Sequence, residues 1–195
     1  MQYQIDDRLF MINNFDYKKY KALVKTNISK HNNIYTYKQT YHKSTKPMSL
    51  KQNDFNELIL ALEYLEKIGF VHGDINKKNI IYTNTGFKLI DYEPSLLQKI
   101  NNKKQFMVTR PYISKVDLNN NIITSRTDKI SFFYFLLRIN GSFKTSDIVR
   151  LSKNLSHQKY LNMSEDDFIR LSYREILNYV FNLLIKRKAK NVKKR

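Results

Sequence analysis

The chain has 195 residues, 42% of them apolar, enough to bury one core or two small lobes sharing a cleft but not several full domains. It contains no cysteine, which excludes a disulfide framework and a cysteine-ligated metal and fits a reducing compartment. Lys and Arg number 35 against 17 Asp and Glu, and the net charge of +18 favours polyanionic company: nucleic acid, anionic lipid, acidic protein or nucleotide phosphates.

The opening residues carry Asp6 and Asp7 and no apolar stretch, so they do not read as a signal peptide. Arg8 to Ile12 and Lys21 to Lys25 are short apolar or mixed runs that suggest strands, and Asn33 to Tyr41 alternates around Tyr35, Tyr37 and Tyr41. A polar stretch, His42 to Pro47, reads as a linker. Ser49 and Gln52 have capping-box spacing, and Phe55, Leu58, Ile59, Leu62 and Leu65 then follow a helical period that Gly69 ends.

Beyond Gly69 the pieces are shorter. Ile80 to Tyr82 and Phe87 to Ile90 read as strands joined by a tight turn at Thr83 to Gly86. From Asp128 to Ile139 apolar residues occupy nearly every face, which predicts a buried helix stopped by Gly141. A last helical region begins near Ser164, with Asp167 three residues on, and includes Ile176, Leu177, Val180, Phe181 and Leu184. The final ten residues, Lys186 to Arg195, hold seven Lys or Arg and no acid. The longest strongly apolar stretch, Phe132 to Leu137, is too short to span a bilayer. These readings give an α+β chain: a small β-rich lobe over 1–46, a mainly helical lobe with a β-ribbon over 47–185, and a basic tail over 186–195.

One stretch carries chemistry: His72-Gly73-Asp74-Ile75-Asn76-Lys77-Lys78-Asn79. Phosphoryl transfer asks little covalent work of a protein. It needs a carboxylate to position or deprotonate the acceptor, and oxygen ligands for magnesium that offset phosphate charge. An aspartate and an asparagine five residues apart can supply the first role and part of the second. Asp91 stands seventeen residues beyond Asp74, across two strand-like runs, so a ribbon of that length returns it towards the loop.

The order His-x-Asp-x4-Asn, a β-ribbon, then Asp91-Tyr92-Glu93 resembles the catalytic loop and metal-binding motif of the protein-kinase-like superfamily. The helix ending at Gly69 stands where that family has its long helix. Thr109-Arg110-Pro111-Tyr112-Ile113-Ser114 resembles the segment shaping the peptide-substrate platform of Ser/Thr kinases. Asp128 opens a helix similar to the one whose aspartate braces the catalytic loop. The resemblance implies ATP and Mg as cofactors, Asp74 as the catalytic carboxylate, Asn79 and Asp91 as magnesium ligands, and a protein substrate. It gives His72 a structural role, Asp128 that of cap or brace, and Tyr112 that of platform or core.

The sequence departs from the family chiefly in its first lobe. No glycine precedes Gly69, so the phosphate-covering glycine loop is absent. Lys25, in Ala22-Leu23-Val24-Lys25, resembles the strand lysine that contacts phosphates, yet no Asp or Glu occurs between Asp16 and Asp54 to pair with it. Gly73 stands where regulated kinases place arginine, which implies no control by activation-segment phosphorylation. Asn76 replaces the lysine two past the aspartate, a role open to Lys77 or Lys78. Val116 replaces the glutamate that braces the platform, and Glu93 the glycine after the metal-binding aspartate.

The pattern resembles minimal kinases with a reduced first lobe, including compact bacterial effector or toxin kinases. It implies a cytoplasmic enzyme, one reading being delivery into a host cell. A pseudokinase acting as a binding module and a small-molecule phosphotransferase stand as alternatives. The basic tail suggests docking to an acidic protein or nucleic acid.

Overall fold

Where the apolar run Arg8 to Ile12 suggests a strand, the chain forms a helix, α1 (Ile5–Asn13). Leu9 and Ile12 are buried while Phe10, between them, is 69% exposed, a helical rather than an alternating pattern. Asp6 and Asp7 fall in its first turn. The computed structural model describes residues 5–31, 34–45, 50–92, 113–120, 122–141, 144, 146–147 and 157–192, with 5–7, 30, 34–35, 37, 159 and 186–192 described by their backbone alone. Ser49, Glu93 and the stretch from Thr109 to Tyr112 lie outside the described residues, and with them the readings they carry. The chain divides into two compact units, Met1–His72 with Lys78–Met107, and Gly73–Lys77 with Val108–Arg195.

In the first unit α1 is followed by a hairpin of β1 (Thr26–His31) and β2 (Ile34–Gln39), paired from Thr26↔Gln39 to His31↔Ile34. The strand expected over Lys21 to Lys25 is reduced to one parallel bridge, Leu23↔Leu89, and the regular strand starts one residue later, at Thr26. Helix α2 (Asn56–Lys67) follows a 3-10 turn, Gln52–Phe55. Asp54 accepts the Lys51 N–H at 2.7 Å, so the cap sits at Lys51. Leu58, Ile59, Leu62 and Leu65 are buried, as their spacing predicts, and Gly69 turns the chain out at φ +73.

A second antiparallel ribbon, β3 (Ile80–Thr83) and β4 (Gly86–Leu89), pairs Ile80 with Leu89 and Thr83 with Gly86. Its turn is held by Thr83 Oγ1, which donates to the Gly86 carbonyl at 2.8 Å. Segment 22–24 runs against β4: the Leu89 N–H donates to Ala22 O at 2.7 Å and the Val24 N–H to Leu89 O at 3.2 Å. The core beneath is aromatic. Phe15 meets Phe70 and Tyr92 edge-on, at 5.0 and 5.5 Å between ring centres, and Phe55 stacks on Phe87 at 4.7 Å. Such pairs add about 0.5–1.5 kcal/mol each beyond the area they bury.

The second unit is helical. α3 (Lys115–Asn120) and α4 (Ser125–Ile139) are followed by α5 (Gln158–Leu161), α6 (Glu165–Ile169) and α7 (Tyr173–Val192). Every residue of α4 from Thr127 to Leu137 is buried, as its all-round apolar sequence predicts. The Thr124 hydroxyl caps the helix, accepting the Arg126 N–H at 3.2 Å, and Gly141 follows its end at φ +71. The buried Lys129 donates its ammonium to Ile169 O at 3.0 Å.

The single helical region expected from Ser164 is two helices. Ser164 caps α6, accepting the Asp167 N–H at 3.1 Å. Ser172 and Glu175 then bond reciprocally, Ser172 N–H to Glu175 Oε2 at 2.7 Å and Glu175 N–H to Ser172 Oγ at 3.2 Å, and so start α7 afresh. Tyr173, Ile176, Leu177 and Val180 are its buried face. The basic stretch from Lys186 continues α7 as helix as far as Val192. Among the described residues no helix is long and apolar enough to cross a membrane.

Candidate functional site

The end of the β3–β4 ribbon gathers two of the residues singled out by the motif. One backbone rung lies beyond the named strands: the Ile90 N–H donates to Asn79 O at 2.9 Å. Asn79 is buried, and Asp91, one residue past Ile90, is partly exposed at the same end. Asp91 adopts φ +60, a left-handed conformation that costs an L-residue roughly 1–2 kcal/mol. The next residue is turned firmly inward. Tyr92 is fully buried, its hydroxyl donating to Leu89 O at 2.8 Å and accepting the Val24 N–H at 3.0 Å. A tight loop from Leu89 to Tyr92 therefore presents Asp91.

His72 closes this end from beneath. It is wholly buried, and its Nε2 lies 2.9 Å from Ile90 O, with the ring edge-on to Tyr92 at 5.7 Å. A carbonyl oxygen only accepts, so Nε2 carries the proton, and the ring packs and bonds as a structural group. Lys25 is exposed just ahead of β1, two residues beyond Leu23, as Asp91 stands two residues beyond its bridge partner Leu89. Lys77 and Lys78 are both exposed. Lys88, which the sequence did not single out, is buried and donates to Lys21 O at 2.7 Å. Burial lowers its pKa, Glu57 opposes the shift and Lys21 adds to it.

Asp74 belongs to the second unit, in the loop Gly73–Lys77. Gly73 takes φ +83, and an added Cβ would lie 3.4 Å from Ile123, so glycine has a backbone reason to stand there. Its N–H donates to Asp128 Oδ1 at 2.8 Å, so of the two expected roles Asp128 has the brace, while Thr124 has the cap. Ile75 anchors the loop in the core, and the Asn76 side-chain amide donates to Asp74 O at 3.2 Å. Asp74 itself is partly exposed.

Three further polar groups organise the second unit without any motif to announce them. Asp117 is completely buried and accepts from the Thr124 N–H at 2.8 Å and from the Thr124 and Thr127 hydroxyls at 2.6 and 2.8 Å. Glu165 of α6 accepts the Ser114 hydroxyl at 2.5 Å and the Lys115 N–H at 3.0 Å. His157 bonds Ile113 O through Nε2 at 2.9 Å, which leaves Nδ1 to accept the Tyr134 hydroxyl at 2.8 Å. Burial pushes the His157 pKa below its ordinary value, and the nearby Glu165 carboxylate only partly offsets this. Val116, at the expected position of a bracing glutamate, is 37% exposed, whereas Ile113, Ser114 and Lys115 just before it are held by His157 and Glu165.

Hard oxygen donors at the ribbon end suit magnesium, which commonly takes one or two protein oxygens and completes its shell with phosphate and water. Among the described residues no group of three or more His, Asp or Glu is placed to hold a metal by itself. No protein-family model and no curated protein matches the chain.

Proposed function

We propose that the chain is an ATP- and magnesium-dependent phosphotransferase of protein-kinase-like fold, acting on serine or threonine hydroxyls of a protein substrate. The observation that supports this most is the ribbon end, where Asn79 and a backbone-strained Asp91 share one end of β3–β4. Strain at a partly exposed carboxylate, next to a tyrosine locked by two hydrogen bonds, is the kind of feature that a functional site retains. The bond from Gly73 to Asp128 adds support, because it fixes the backbone beside Asp74.

In this reading Asn79 and Asp91 would hold magnesium, which would offset phosphate charge when bound. Asp74 would orient the acceptor hydroxyl and take its proton, and Lys25 and Lys78 would contact phosphate oxygens. A second reading, a nucleotide-binding pseudokinase that does not transfer, is favoured by the exposed Lys25 and the lack of any Asp or Glu between Asp16 and Asp54.

The deciding experiment follows label from γ-labelled ATP and magnesium onto the protein itself and onto lysate proteins, with Asp74→Asn and Asp91→Ala alongside. Label that needs both carboxylates is the expected result. Equal label with either variant removes that residue from its role, and nucleotide binding without any transfer selects the pseudokinase.

A further inference from the structure

The β1–β2 hairpin has two edges, and the chain treats them differently. Register and hydrogen bonding fix which backbone groups point where. The Thr40 N–H donates to Lys25 O at 3.1 Å, so Lys25 and Thr40 face each other as a hydrogen-bonded pair, and by alternation so do Asn27 and Lys38, and Ser29 and Thr36. The residues between, Thr26 and Ile28 on β1 and Tyr35, Tyr37 and Gln39 on β2, point their N–H and C=O groups away from the partner strand.

On β1 that outward edge is occupied. The Asn13 side chain takes both groups of Ile28, donating to its carbonyl at 2.9 Å and accepting its N–H at 2.8 Å. The Tyr17 hydroxyl lies 3.3 Å from Thr26 O. Among the described residues the sheet ends on β2: it has two strands there, and nothing bonds the outward groups of Tyr35, Tyr37 and Gln39. Thr36, Lys38 and Thr40 along this strand are exposed, and Tyr41 just past it is 87% exposed. Neither proline nor a bulge interrupts the pairing.

Charge narrows what can pair there. Lys25, Lys38 and Lys43 are exposed around the strand, and the sequence from Tyr17 to Asn53 has nine lysines and no acid. A lysine on an edge strand repels basic or identical strands, a second copy of this chain included, but attracts an acidic one.

We propose that the outer edge of β2 is a docking edge for an extended acidic segment of a partner protein, which adds to the hairpin as a third strand. The backbone groups of Tyr35, Tyr37 and Gln39 supply the pairing, and the lysines select the sign of the incoming side chains. This inference is independent of phosphoryl transfer.

The test uses the full chain and a fluorescein-labelled octapeptide of alternating threonine and glutamate, with its threonine–lysine counterpart as control. Anisotropy should show binding of the acidic peptide alone. Tyr37→Pro removes one outward N–H that the β1–β2 ladder does not use, and should weaken binding about fivefold or more, as should Lys38→Glu. Amide exchange provides a readout free of any variant: bound peptide should slow Tyr35, Tyr37 and Gln39, while Thr36 and Lys38 are already protected by β1. Uniform slowing along β2, binding untouched by Tyr37→Pro, absence of binding, or concentration-dependent self-association in place of peptide capture would each overturn the proposal.

Discussion

Asp128 reaches back across 55 residues of sequence to accept the Gly73 N–H at 2.8 Å, and this bond ties the loop holding Asp74 to the most deeply buried helix of its unit. The carboxylate and the N–H are both buried, so neither has water as a substitute.

Asp128→Ala should therefore leave the Gly73 N–H unsatisfied and cost about 1–3 kcal/mol in unfolding free energy. Asp128→Asn keeps an oxygen acceptor and should cost less. Urea unfolding of the three proteins checks the order. An alanine variant within about 0.5 kcal/mol of wild type would mean that the brace carries no stability.

At Asp91 stability and function should part. Its left-handed backbone costs roughly 1–2 kcal/mol, and glycine would relieve that while giving back about 0.5–1 kcal/mol through a freer unfolded chain. Asp91→Gly should then be as stable as wild type or up to about 1.5 kcal/mol more so. If Asp91 is a magnesium ligand, the same variant should lose phosphoryl transfer. A clear fall in stability instead would assign its carboxylate a structural task.

How much of this could be read from residues alone depends on how far apart the partners lie. Helix α2 follows from the spacing of Leu58, Ile59, Leu62 and Leu65, and the ribbon from the turn residues between Thr83 and Gly86. Both signals are local. Helix α1 is ambiguous because Leu9 to Ile12 is a continuous apolar run too short to show a period, and Asn13 bonding Ile28 and Arg8 bonding Val71 O belong to tertiary structure. Leu23 pairs with a strand 66 residues away, so the run Lys21 to Lys25 looks like a regular strand and is only a bridge.

The candidate site shows the same division. Asp74, Asn79 and Asp91 could be picked out because a spaced motif marks them. Asp117, His157 and Glu165 carry no such mark, since the groups their side chains bond, Thr124 excepted, lie 10 to 51 residues away. Gly73 was legible only as a missing arginine; its φ of +83 and its approach to Ile123 needed coordinates.

His157 makes stability depend on pH in a defined direction. Its folded pKa lies below the ordinary value of 6.5 because burial disfavours the imidazolium, with Glu165 opposing and Lys115 adding to the shift. The unfolded chain thus binds this proton more readily than the folded one. Its contribution is full above pH 6.5 and is lost as pH falls from there towards the folded pKa. Protonation would also cost the bond that Nδ1 accepts from Tyr134. The melting temperature of wild type should fall on acidification below that pH, and the difference from His157→Gln should shrink over the same interval. Parallel profiles for the two proteins would remove His157 as the cause.

Glu165 offers the cleanest separation of two neighbouring anchors. One of its oxygens takes the Ser114 hydroxyl and the Lys115 N–H together, whereas Thr124, a few residues on, is held by Asp117. Glu165→Ala removes the first anchor and leaves the second in place. The Lys115 amide is exposed once that acceptor is gone, so its hydrogen exchange should quicken about tenfold, while the Thr124 amide should keep its wild-type rate. If the segment before Val116 serves a protein acceptor, the same variant should raise KM for that acceptor and leave KM for ATP unchanged, because the loosened backbone belongs to the acceptor's side of the reaction. Equal acceleration of both amides would show instead that Ser114 to Thr127 opens as one unit, and Glu165 would then be a stabiliser of α3 and α4 at large rather than a positioning residue.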